Sequence, residues 1–113
     1  MRFLLLPLIA AGCLLAPAGG MARADENPSF KMTLENDTFS PKELTVPANT
    51  PFTLKVLNGE TTAAEIESTD LKIEKILPSY VEGVIRVRPQ KPGRYVIFNE
   101  YRQDVARATI IVK

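Results

Sequence analysis

Residues 90–113 read QKPGRYVIF, NEYRQDV and ARATIIVK, and they contain the clearest strand pattern of the chain. Two short apolar runs rich in Val, Ile, Tyr and Phe flank a polar segment, which is the pattern of two strands joined by an exposed connection. Pro92-Gly93 predicts the turn that leads into the first strand. We expect function in the connection, residues 99–104, because exposed loops on a rigid scaffold often carry binding residues.

The rest of the chain repeats the strand pattern. Apolar and polar residues alternate, or short apolar runs occur, at residues 30–34, 43–46, 52–58, 63–68 and 84–88. Most prolines stand between these runs, which suits turns and edge strands. Seven or eight short strands at fairly regular spacing predict an all-β fold, an antiparallel Greek-key β-sandwich.

Two details of the sandwich follow from the same alternation. The predicted core includes Phe52, Leu54, Val56, Ile66, Tyr95, Ile97 and Ile110, and Met32 alternates with apolar neighbours as a core residue does. Residues 70–77 fit either a short helix or a strand, and Pro78 ends the segment in both cases.

The first 24 residues have the pattern of an export signal. Arg2 supplies a positive charge, residues 3–15 are largely apolar, and Ala22-Arg23-Ala24 matches the small-x-small cleavage rule. The apolar run is shorter than the ~20 residues that span a membrane. We therefore predict a signal peptide at residues 1–24, a single domain at residues 25–113 and a periplasmic location.

Composition argues against several classes of function. Fourteen basic and thirteen acidic residues nearly balance, which argues against nucleic-acid binding. Lipidation of Cys13, the only cysteine, is an alternative to cleavage after Ala24, but Leu14 and Leu15 continue the apolar run beyond it. The domain has neither His nor Cys, so the common acid-base and thiol chemistries are absent and we predict that the protein is not an enzyme.

Several short motifs occur in an order that resembles one family. They are Phe39-Ser40-Pro41, LTVPA at residues 44–48, AEIES at residues 64–68, Leu71, Glu74-Lys75 and KPGRY at residues 91–95. In this order they resemble a cupredoxin-like domain. More narrowly, the chain is similar to small periplasmic cupredoxin-like proteins linked to bacterial iron uptake, in which a glutamate stands where blue-copper proteins place their first histidine.

The donor set of the chain excludes the metal site for which cupredoxins are known. A type 1 blue-copper centre needs a cysteine thiolate and two imidazoles. The chain contains no histidine, and Cys13 falls in the predicted signal peptide. The sequence therefore predicts no type 1 copper and no electron transfer through such a centre.

The resemblance implies a carboxylate site instead. In the family's fold, the loop before the Glu65 strand and the loop after Phe98 meet at one end, which places Glu65, Glu67, Asn99 and Glu100 near one another. Oxygen ligands suit hard cations, so the implied cofactor is a metal ion such as iron, manganese or copper. Taken as residues alone, Glu65 and Glu67 also fit a solvated strand face.

The leading functional hypothesis is a periplasmic protein that binds a metal ion or hands it over in iron uptake. Its expected partner is an inner-membrane iron permease or a periplasmic iron-uptake protein, and we expect no nucleic acid. The alternative is a metal-free interaction module that uses residues 99–104 or an exposed strand edge. A carboxylate-dependent enzyme is a third hypothesis, with no residues assigned to it.

Overall fold

The computed structural model describes residues 27–113, and these form nine strands in two sheets. The strands are β1 (Ser29–Glu35), β2 (Thr38–Ser40), β3 (Glu43–Val46), β4 (Phe52–Asn58), β5 (Ala64–Ser68), β6 (Ile73–Leu77), β7 (Glu82–Val87), β8 (Gly93–Asn99) and β9 (Arg107–Val112), and a 3₁₀ turn (Glu100–Arg102) follows β8. The predicted all-β sandwich is confirmed, with nine strands in place of seven or eight. The predicted signal peptide lies outside the described residues.

The two sheets are mixed rather than purely antiparallel. Their strand orders are β2-β1-β4-β7 and β3-β9-β8-β5-β6. Pairing is parallel between β1 and β4 and between β3 and β9, and the other pairs are antiparallel. Alternation of apolar and polar residues has period 2 in either kind of pair, so the sequence pattern does not distinguish them.

The core lies between the sheets and is formed by every second residue of the central strands. Phe52, Leu54 and Val56 of β4 are buried, and so are Ile66 of β5 and Ile97 of β8. The predicted core residues Met32 and Ile110 are also buried. Tyr95 is half-buried, because its hydroxyl reaches the edge and donates to the Lys91 carbonyl at 2.6 Å.

The ambiguous segment 70–77 is a turn followed by a strand. The Leu71 amide donates to the buried Ser68 hydroxyl at 3.2 Å, and this bond fixes the turn after β5. The chain then returns as β6, antiparallel to β5. Within residues 27–113 there is no helix long and apolar enough to cross a membrane.

Strand directions place the connections at two ends of the sandwich. At one end, β4 and β8 finish while β5 and β9 begin; at the other end, β7 finishes and β8 begins. We call the first the carboxylate end, because Glu65 and Glu100 lie there. The second is the basic end, because Arg88 and Lys91 lie there.

Candidate functional site

Strand β5 places two glutamates on the outer face of the five-stranded sheet. Ala64, Ile66 and Ser68 are buried, so the residues between them, Glu65 and Glu67, point to the other side and are half-buried. β5 lies between β6 and β8 in the sheet. The two carboxylates are therefore flanked by side chains from both neighbouring strands.

A third carboxylate comes from β6. Glu74 lies directly opposite Glu67 in the β5–β6 pair. One carboxylate oxygen from each of Glu65, Glu67 and Glu74 lies within 4.8 Å of the others. We call these three residues the carboxylate cluster.

Glu74 was not among the predicted site residues. The signal that points to it is the hairpin itself, since a strand that returns after a short turn places one of its outward residues opposite Glu67. Because residues 70–77 fit a helix as well as a strand, the sequence pattern did not define that pairing.

The cluster carries uncompensated negative charge. The ion pairs among residues 27–113 join Lys31 to Glu82, Arg94 to Glu43 and Arg102 to Asp37, so none of them involves the cluster. The hydrogen bond between Glu65 and Glu74 raises the pKa of Glu65, and desolvation and the neighbouring negative charges raise it further. A cation bound beside such a carboxylate would stabilise its charged form.

Glu100 lies beside Glu67, one of the three residues of the carboxylate cluster. Desolvation is the main cause that raises the pKa of Glu67, and the charge of Glu100 and a hydrogen bond with it come next. Glu100 opens the 3₁₀ turn that follows β8. The structure therefore brings together three of the four predicted site residues, Glu65, Glu67 and Glu100, and adds Glu74.

Asn99 has a different position from the other predicted site residues. It is the last residue of β8 and is only 3% exposed. Its side-chain Oδ1 accepts hydrogen bonds from the Glu65 amide (3.0 Å) and the Tyr101 amide (3.2 Å). Because both bonds tie down the backbone, Asn99 fixes the start of β5 against the 3₁₀ turn and so positions Glu65 and Glu100.

Arg102 pairs with Asp37 rather than with Glu100. Its Nη2 lies 2.9 Å from Asp37 Oδ2, and the Asp37 amide donates to Glu60 Oε2 at 2.7 Å. These bonds join the β1–β2, β4–β5 and β8–β9 connections at the carboxylate end. A cavity of about 520 Å³ lies among them, with Asn99 and Tyr101 on its wall.

The comparison with known families agrees with this architecture. The model of the cupredoxin-like domain family matches residues 4–112. The chain belongs to this family. An uncharacterized protein of Rickettsia prowazekii (strain Madrid E) is 39% identical over 82 residues, which are 73% of this chain and 66% of that protein. The chain thus matches just under two thirds of the length of that relative.

Solved cupredoxin-like structures share the fold at low sequence identity. The metal-binding domain of the Streptococcus pneumoniae D39 Cu(I)-exporting P-type ATPase CopA has a TM-score of 0.66 at 18% identity, with 75% of this chain and 84% of that chain covered. Auracyanin from Roseiflexus castenholzii has a TM-score of 0.63 at 18% identity, over 75% and 96% of the two chains. At this identity the likeness shows the fold alone.

The residues of this cupredoxin-like domain do not fit a type 1 copper centre. The chain has no histidine, and Cys13 lies outside the described residues. The buried polar side chain that β8 delivers at the carboxylate end is the amide of Asn99, whose Oδ1 is used by two backbone amides. Residues 27–113 contain neither Cys nor His, so this part of the chain supplies neither the thiolate nor the imidazoles of a blue-copper centre.

Proposed function

We propose that this cupredoxin-like protein is an exported, periplasmic accessory of iron uptake that binds a metal ion through carboxylates and hands it over. The observation that carries the proposal is the carboxylate cluster, in which Glu65, Glu67 and Glu74 bring oxygens within 4.8 Å of one another. Glu100 is the fourth oxygen donor. Asn99 acts on the site by holding the backbone of Glu65.

The chemistry of the cluster suits a hard di- or trivalent cation. Carboxylate oxygens are the preferred ligands of such ions, and the candidates are iron and manganese, with Cu(II) as a third. Like charges placed directly opposite each other in a β-ladder are destabilising. A bound cation would remove that repulsion between Glu67 and Glu74, and this relief would contribute to the free energy of metal binding.

The proposed partner is an iron permease of the inner membrane or a periplasmic iron-uptake protein. The order of short motifs supports this proposal, because it resembles that of small periplasmic cupredoxin-like proteins linked to iron uptake. One of these motifs, AEIES at residues 64–68, supplies Glu65 and Glu67. A second support is that one fold neighbour is the metal-binding domain of a Cu(I)-exporting ATPase. In that protein, a domain of the same fold is part of a metal transporter.

Calorimetric titration of the purified protein with manganese, ferric citrate and Cu(II) tests the proposal. We expect saturable binding of at least one ion, and a loss of affinity of about tenfold or more in Glu67→Gln and in Glu74→Gln, since each variant removes one charged ligand. Binding should weaken as the pH falls, because protons compete for the same oxygens. Cu(II) should give no intense blue colour.

The matched control is Glu35→Gln, which removes an exposed carboxylate outside the cluster and should bind as the wild type does. The metal proposal is wrong if the wild type binds none of the three ions. It is equally wrong if Glu67→Gln and Glu74→Gln bind as tightly as the control.

One observation favours the metal-free interaction module as a second candidate function. Tyr80 is 65% exposed and has a φ of 61°, a left-handed conformation that is costly for a bulky residue. Val81, which follows Tyr80 in the chain, and Ile76, four residues before it, are also exposed. An exposed aromatic residue with apolar neighbours is a common anchor at protein interfaces.

The turn that carries Tyr80 is held rigidly by hydrogen bonds from β4 and the β4–β5 connection. Asn58 Nδ2 donates to the carbonyls of Leu77 and Pro78 at 3.0 and 3.1 Å, and the Ser79 hydroxyl donates to the Glu60 carbonyl at 2.6 Å. The neighbouring β6 edge is less suited to strand addition, because the exposed Lys75 protects it. If the protein binds none of the three metal ions, the interaction module becomes the preferred function, with the Tyr80 turn as its proposed contact with a partner protein.

A further inference from the structure

A second cleft lies at the basic end, and none of the three cluster glutamates lines it. Its volume is about 490 Å³, and it separates the β5–β6 connection, residues 70–72, from the end of β7 and the segment after it, residues 86–90. It shares no residue with the cavity at the carboxylate end. A ligand in this cleft would therefore use a different set of side chains from the proposed metal site.

Three cationic side chains line this cleft from two sides. Arg86 and Arg88 are two residues apart on an extended segment, and Lys72 stands on the opposite wall. All three are exposed, and none forms an ion pair with another residue of the range 27–113. The acid on the walls is Asp70, which is not within ion-pair distance of them.

The backbone fixes the position of Lys72. Its φ is 59°, a left-handed conformation in which glycine or asparagine would be the ordinary choice. The Lys72 amide donates to the Thr69 carbonyl at 3.4 Å, and the preceding residue, Leu71, is buried. The lysine is thus held at a fixed point of the rim across from the two arginines.

Further lysines lie at the same end of the sandwich. Lys91 and Lys113 belong to the same end as the cleft, because β8 begins and β9 finishes there. Nearby cations repel one another, and an anion placed between them relieves that repulsion. On the walls of the cleft itself, the three cations outnumber the single acid, Asp70.

We infer that this cleft is a binding site for a phosphate group, held between Arg86 and Arg88 on one side and Lys72 on the other. Guanidinium groups bind phosphate through two parallel hydrogen bonds, and lysine adds a point charge. Three cations that converge from two sides match a tetrahedral group with several charged oxygens better than a planar carboxylate with two. The phosphate is supplied either by a free anion or by the headgroup of an anionic lipid.

Two titrations of the purified protein at low ionic strength separate the two sources. The first follows backbone amide shifts by NMR as inorganic pyrophosphate is added, and the second measures co-sedimentation with phosphatidylglycerol vesicles against phosphatidylcholine vesicles. We expect saturable binding in at least one titration, with the pyrophosphate shifts confined to residues 70–72 and 86–90. Binding of pyrophosphate would identify a free anion as the ligand of the cleft. Binding to phosphatidylglycerol vesicles alone would identify the lipid headgroup as the ligand.

Variants decide whether the cleft is responsible. Arg88→Ala and Lys72→Ala should each weaken binding about tenfold, the loss of one charge-assisted hydrogen bond, while Lys42→Ala, which removes an exposed lysine elsewhere, should have no effect. Near-identical thermal unfolding of the three variants would exclude a loss of fold as the cause. The inference fails if neither probe binds, or if Arg88→Ala and Lys72→Ala bind as Lys42→Ala does.

Discussion

Glu67 faces two other carboxylates from neighbouring elements, Glu74 on β6 and Glu100 after β8. Desolvation and these neighbours raise its pKa above the ordinary value of 4.5. A carboxyl group with a raised pKa favours the folded state most while it is protonated. That contribution is complete below the pKa of the unfolded chain and is lost as the pH rises through the higher pKa of the folded protein.

Replacing Glu67 by Gln should therefore stabilise the metal-free protein at neutral pH. The variant removes one of two charges that repel across the β5–β6 pair, so its Tm should exceed that of the wild type. The difference should shrink as the pH falls from neutrality through the raised pKa of Glu67, and it should be small below 4.5, where the wild-type group is protonated in both the folded and the unfolded chain. Thermal unfolding followed by circular dichroism at both pH values measures this, and a wild type that is the more stable protein at neutral pH would contradict it.

At the level of elements, the contact between β6 and β7 closes one side of the sandwich. These strands are the edges of two different sheets. Gly83 of β7 is buried, and a Cβ at this position would overlap Leu77 Cδ2 of β6. Leu77 is itself buried, so it has little room to move aside.

Gly83→Ala should lower the free energy of unfolding by about 1–3 kcal/mol, the usual cost of overpacking a core. Gly93→Ala is the matched control, because a Cβ there would meet Tyr95 at an ordinary contact distance of 3.6 Å and the φ of Gly93 is not positive. Urea denaturation of both variants gives the two values. Equal stability of the two would show that β6 and β7 tolerate a wider separation.

The elements also show what the sequence can and cannot predict. Alternation in residues 64–68 correctly put Glu65 and Glu67 on one face, because period 2 is a property of any strand. The place of Glu74 in the cluster and the parallel pairings of β1 and β3 depend on which strands lie side by side in the sheets. The alternation of apolar and polar residues carries no information about that order. The backbone bonds of Asn99 depend in the same way on contact between residues 34 positions apart.

For the whole molecule, stability rests on the core between the sheets. Ile97 lies on β8 inside the five-stranded sheet and is fully buried, so Ile97→Ala should cost about 2–5 kcal/mol. Ile76→Ala is the control, since Ile76 is 59% exposed on the edge strand β6. Chemical denaturation should show a much smaller loss for the control. Similar losses for the two would mean that the core does not dominate stability.

The position of β9 between β3 and β8 has a consequence for the order of folding. Residues 43–46 pair with residues 109–112, so β3 has no partner strand until residue 112 has been synthesised. Contacts between residues so distant in sequence form late, because a long loop must close first. While the nascent chain is still being extended, residues 43–46 therefore have no strand to pair with, and water or another chain must satisfy their backbone N–H and C=O groups.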